Sequence, residues 1–75
     1  MKIIGSKLRA ARKAAGVTGE GLAGIADLTA RRIFQIETDD VSNLNENAVN
    51  AICEFLDIKK EDLAEVKGVA NADIK

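Results

Sequence analysis

An all-α domain of five short helices is the fold class this sequence predicts. Apolar residues recur every three or four positions along most of the chain, the spacing of one helix face. The core must be built mainly from Leu, Ile, Val and Ala, since two Phe are the only aromatic residues among 75. No segment alternates convincingly with period two, and no internal repeat is visible. A chain this short supports one core, so residues 1–67 read as the domain and 68–75 as a tail without readable structure.

The first helix is predicted from about Ser6 to Ala15. Ile4, Leu8, Ala11 and Ala15 form its buried stripe, and Gly16 is suited to the left-handed residue beyond its end. Thr18 and Thr29 are candidate N-caps for the second and third helices, because each hydroxyl can accept from an amide that lacks a helical partner. Between them Leu22, Ala23 and Ala26 make a small apolar face, and Asp27-Leu28 is the only room for a turn. Gly19, Gly21 and Gly24 weaken the second helix by roughly 1 kcal/mol each against Ala. Close backbone approach at Gly24 and the absence of any constraint there both remain open.

In the third helix Ile33 and Ile36 point inward. At about 100° per residue, Arg31 and Gln35 fall on the opposite side, flanked by Arg32 and Phe34. Thr38–Leu44 reads as a polar loop. Asn45 caps a fourth helix that runs to Leu56, with Val49, Ile52, Cys53 and Leu56 as its core face. Ile58 precedes a fifth helix, where Glu61 and Asp62 suit the positive end of the dipole. Leu63 and Val66 face inward there, and Gly68 ends it.

Composition excludes several functions. One cysteine, Cys53, permits no internal disulfide and reads as a small core hydrophobe; with no histidine there is no zinc site. Gly19-Glu20-Gly21-Leu22-Ala23-Gly24 spells a dinucleotide-binding fingerprint, but a helix precedes it where that chemistry needs a strand. Glu37-Thr38-Asp39-Asp40 lacks the glycine and ligand spacing of a calcium loop. No nucleophile–base pair or acid–base dyad emerges, so no enzyme, cofactor or small-molecule ligand is expected. No apolar run is long enough for a signal peptide or membrane span, which makes cytoplasmic the expected location.

The net charge is −1, but it is polarised. Residues 1–36 carry seven basic and two acidic groups, and residues 37–75 carry four basic and ten acidic ones. A positive face can therefore exist locally despite the total; the lesser alternative is that both halves are simply solvated surface. A rigid helix pair that displays Arg and Gln side by side suits base edges, so double-stranded DNA is the leading partner. Arg32 lies about 100° round the helix from the middle of that face and reads as a phosphate contact. Phe34 reads as packing under the fourth helix or against a partner, with a thymine methyl as the alternative.

The run Leu8-Arg9-Ala10-Ala11-Arg12-Lys13-Ala14-Ala15-Gly16-Val17-Thr18, then Leu22-Ala23, Ile33 through Glu37, Ile52 through Leu56 and Leu63, resembles the Cro/repressor-type (XRE-like) helix-turn-helix family. The resemblance spans about residues 5–66. It implies a compact five-helix domain of the lambda-repressor-like type, its helix-turn-helix at 18–37, acting as a homodimer on palindromic DNA. The recognition helix would be Thr29–Glu37. By position, Ala30, Arg31 and Gln35 would read bases, Arg32 and Phe34 would flank the groove, and Thr18 and Thr29 would lie near phosphates. The family's structural ion pair falls on Arg12 and Glu37. Helical spacing agrees, since Arg12 is i+4 from Leu8 and Glu37 is i+4 from Ile33. The dimer surface is expected around the fifth helix, Phe55 and the tail.

Three positions depart from the family pattern. Gly19 stands where relatives often carry a phosphate-contacting Gln, and Asp27 where the turn usually has Gly. Asp39 and Asp40 stand where relatives offer Gly and a basic residue, and two carboxylates there repel phosphate. These departures and the acidic second half support an alternative function on the same fold, an antitoxin-like or anti-repressor protein-interaction module.

Overall fold

A computed structural model describes residues 1–64. In chain order it contains strand β1 (Lys2–Ile4), helices α1 (Gly5–Ala14), α2 (Gly19–Ala26) and α3 (Ala30–Thr38), strand β2 (Val41–Asn43), helix α4 (Glu46–Leu56) and a 3-10 turn over Lys60–Asp62.

Side chains set most helix starts. Thr18, Thr29 and Asn45 accept from the amides of Gly21, Arg32 and Ala48 at 3.0, 3.1 and 2.8 Å. Three of the helices, α1, α2 and α4, are followed by left-handed residues, while α3 gives way to an extended Asp39. Gly16 takes φ of 72° after α1, and Asp27 and Asp57 take 59° and 58° after α2 and α4. Asp tolerates this region less readily than Gly but better than most residues, and Asp27 there turns the chain sharply into α3.

The core gathers Ile3, Leu8, Leu22, Ala23, Ala26, Ile33, Ile36, Leu44, Ala48, Val49, Ile52, Cys53, Leu56 and Leu63. Helix α2 is sandwiched between α3 and α4, while α1 lies along α3. Burial raises the Cys53 thiol above its ordinary value, with Asp62 adding to the effect and Lys60 opposing it.

The all-α expectation is corrected by a small sheet. β1 and β2 pair antiparallel, with Ile3 opposite Ser42. The other edge of β1 is occupied too: the Ile4 amide donates to the Leu63 carbonyl at 2.8 Å, and Ile3 bridges Ala64. The stretch expected as a polar loop, Thr38–Leu44, thus supplies the last residue of α3 and a strand. The expected fifth helix enters as the 3-10 turn. Val66, Gly68, the boundary at 67 and the 68–75 tail lie outside the described residues. Ala15 is exposed and lies past the end of α1, so the buried stripe of that helix is shorter than expected.

Two glycines have opposite surroundings. A Cβ on Gly5 would run into the carbonyl oxygens of Ile36 and Asp39, so this glycine lets the start of α1 sit against the end of α3. Its amide donates to the Asp40 carbonyl at 3.2 Å across the same contact. A Cβ on Gly24 would meet nothing within 4 Å, so close approach is not what holds a glycine there.

Urea unfolding should separate the two. Gly24→Ala should stabilise the domain by about 1 kcal/mol, the helix-propensity gain with no steric cost. Gly5→Ala should destabilise it by at least about 3 kcal/mol, the upper range for overpacking, because backbone carbonyls cannot swing aside. In the folded protein Cys53 should resist a thiol reagent and react only as fast as the chain opens.

Candidate nucleic-acid interface

Helix α3 turns Ile33, Ile36 and Glu37 into the protein. Ala30, Arg31, Phe34, Gln35 and Thr38 are exposed on its other side, and Arg32 is half-buried at the edge. Arg31 and Gln35 therefore share one turn of an outward face. Phe34 is 64% exposed, which corrects the expectation that it packs beneath α4. The Arg32 guanidinium lies back toward β2, with Nη2 donating to the Asn43 carbonyl at 3.3 Å.

What holds α3 from behind is ionic. Arg12 Nε donates to Glu37 Oε2 at 2.6 Å and Nη2 to Oε1 at 3.0 Å, a two-pronged contact. Nη1 also donates to the Val17 carbonyl at 3.0 Å, so the same guanidinium ties down the link between α1 and α2. Side-chain exposure is 15% for Arg12 and 4% for Glu37. The hydrogen bond to Glu37 raises the Arg12 pKa further, outweighing the opposing effect of burial, so the guanidinium keeps its proton at any accessible pH.

Thr18 and Thr29 are exposed at the N-termini of α2 and α3, and half-buried Gly19 opens the first turn of α2. First-turn amides have no acceptor inside their own helix, and the dipole there favours an anion. Asp39 and Asp40 follow α3 and are exposed. The second of these offers its carbonyl to Gly5, which fixes the backbone carrying both carboxylates. Among the described residues no group of three Cys, Asp or Glu side chains could hold a metal ion, and no helix is long and apolar enough to cross a membrane.

Three features of this surface differ from the sequence expectation, and two of them leave no signal in the sequence. Gly5 gives no signal beyond being a glycine near a helix start. The Asn43 carbonyl that receives Arg32 belongs to an unforeseen strand. Thr38 was readable: it is i+4 from Phe34 and i+7 from Arg31, so extending the helix by one residue puts it on the exposed face.

Two consecutive helices joined by a tight turn, the second capped at its start and presenting a polar face, define a helix-turn-helix domain. The family described as "Helix-turn-helix domain" matches residues 3–66, and the chain belongs to it. Within that class it is an XRE-like protein of the Cro/repressor type. Its structure is similar to that of the restriction-modification controller protein C.AhdI from Aeromonas hydrophila. The two are 26% identical over 77% of this chain and 86% of that one, with a TM-score of 0.66. No curated protein sequence matches. Family and fold together support a DNA-binding regulator of transcription.

The ion pair sets a measurable expectation. Glu37→Ala strands the Arg12 charge and should cost about 3 kcal/mol, the lower end for breaking a buried pair because Arg12 keeps some contact with water. A double-mutant cycle with Arg12→Ala should return a coupling of about 1–3 kcal/mol. Additive losses would show that the two side chains act independently.

Proposed function

We propose that this protein is a sequence-specific regulator that lays α3 in the major groove and binds a palindromic operator as a homodimer. The observation that carries the reading is the exposed pair Arg31 and Gln35 on a helix whose opposite side is locked by Arg12 and Glu37. An arginine fork matches the two acceptors of guanine, and a glutamine amide matches the donor–acceptor pair of adenine. Fixed backbone behind such side chains is what turns hydrogen-bonding capacity into selectivity.

The remaining roles follow from position. Ala30, at the start of α3, is small enough to let the helix approach the bases. Thr18, Gly19 and Thr29 place helix N-termini toward the phosphates. Arg32, anchored through one nitrogen on Asn43, has other N–H groups free for the phosphate backbone. A single helix-turn-helix covers few base pairs, and a two-fold pair on a palindrome extends the site. Phe55, half-exposed on α4, is an apolar group outside α3 that a second copy can cover.

One observation favours a second reading. Asp39 and Asp40 are exposed at the end of α3, where they oppose a phosphate backbone, and Gly19 supplies no side chain to contact one. On that reading the domain docks on a protein and leaves DNA alone.

Titration against duplex DNA at about 50 mM and 200 mM salt distinguishes the two, since phosphate contacts weaken steeply over that range. On the regulator reading Arg31→Ala should lose about 1–3 kcal/mol at the preferred site and little on random duplex. Arg32→Ala should weaken all duplexes alike and flatten the salt dependence by about one unit of slope. Asp39→Lys should tighten non-specific binding. Absence of any binding at the lower salt supports the interaction module. Sedimentation should show dimers at high micromolar concentration or on DNA, and monomers under both conditions would remove the dimer.

A further inference from the structure

We infer that Phe34 and Thr38 form a reader of the pyrimidine C5-methyl group, seated beside the Arg31–Gln35 pair. The inference rests on the placement of α3 in the major groove proposed above. Arg31, Phe34, Gln35 and Thr38 follow the spacing i, i+3, i+4, i+7, which puts all four on one exposed helix face. Two of them are hydrogen-bonding groups. The other two make an apolar edge.

Among the described residues Phe34 is the most exposed large apolar residue, at 64%, ahead of Phe55, Val41 and Ile25. None of those three lies on α3. A ring left in water on the face that also carries Arg31 and Gln35 has its apolar surface available where base edges would lie. Thr38 adds to it. Its hydroxyl sits 3.0 Å from the Phe34 carbonyl and 3.1 Å from the Gln35 carbonyl, so its proton is spent on the helix backbone. With the hydroxyl turned inward to the main chain, the γ-methyl is the group Thr38 has left to offer, one helical turn beyond Phe34.

In the major groove one apolar group protrudes from the base pairs, the C5-methyl of thymine. A 5-methylcytosine presents the same group on a G·C pair. The edge made by Phe34 and Thr38 matches that methyl in chemistry, while Arg31 and Gln35 supply hydrogen bonds to the neighbouring pair. Thymine and 5-methylcytosine differ in the group at C4, so the two sources are separable by substitution in the DNA.

The experiment uses the full chain and a duplex selected by it from a random-sequence pool. Each thymine of that duplex is replaced in turn by uracil, and each cytosine by 5-methylcytosine. At one position the wild type should lose about four-fold in affinity with uracil, or gain about four-fold with 5-methylcytosine, the factor for moving one methyl-sized group out of or into contact. Phe34→Ala, checked for retained helicity, should abolish that response. Thr38→Ser keeps the backbone hydrogen bond and removes the methyl, so it should reduce the response. Thr38→Val should preserve it. A response at a thymine alone assigns the site to A·T pairs, and one at a cytosine alone makes the protein a sensor of DNA methylation; either supports the inference. A wild type indifferent to every methyl, or a response unchanged in Phe34→Ala, overturns this inference and leaves the regulator reading intact. Failure to select any duplex overturns both.

Discussion

The position of α3 depends on a single guanidinium. Arg12 holds both carboxylate oxygens of Glu37 with two of its nitrogens and the Val17 carbonyl with the third. Glu37 belongs to the last turns of α3, and Val17 to the link between α1 and α2. One planar group therefore sets the relation between α1, the entry to α2 and the far end of α3. Burying a charge is costly unless its hydrogen bonds are satisfied, and here each nitrogen of the fork is used. The pair acts as a register device: a helix that slid or rotated by one residue would strand both charges.

Gly5 complements that contact at the other end of α1. Its missing side chain allows the start of α1 to touch the carbonyls of Ile36 and Asp39, so α1 grips α3 by an ionic contact at one end and steric fit at the other. The turn between α2 and α3 adds a third restraint through the left-handed Asp27. A helix held at its start, back and end loses little freedom on meeting a partner. Three glycines in α2 are tolerable within this frame, because Leu22, Ala23 and Ala26 are held by α3 and α4 and not by local propensity.

The charge pattern acquires a geometric meaning in the fold. Arg31 and Arg32 lie on α3, and Asp39 and Asp40 follow directly after it. The contact of Gly5 with the Asp40 carbonyl keeps that acidic segment close to the end of the helix. On the proposed regulator reading, attraction along α3 and repulsion just beyond it weaken indiscriminate phosphate binding, leaving base-edge contacts a larger share of any specific affinity. A net charge near zero is thus compatible with a DNA-facing surface, because the field that matters is local.

The sequence by itself determined the four long helices, their caps and most of their buried faces. Those depend on neighbours within one turn, and Thr18, Thr29, Asn45 and the spacing of Leu22, Ile33, Ile36, Val49, Ile52 and Leu56 express them directly. It also marked Arg31 and Gln35 as outward, because helical phase follows once Ile33 and Ile36 are inside. The sheet was not legible. Three-residue strands carry too little period to detect, and in β2 the buried residue is Ser42 while Val41 is exposed, which inverts the usual pattern. The exposure of Phe34, the fold-back of Arg32 and the steric need for Gly5 were decided only by tertiary structure. Each depends on a surface brought up from a distant part of the chain: α4 that does not reach Phe34, β2 that receives Arg32, and the α3 carbonyls that crowd Gly5.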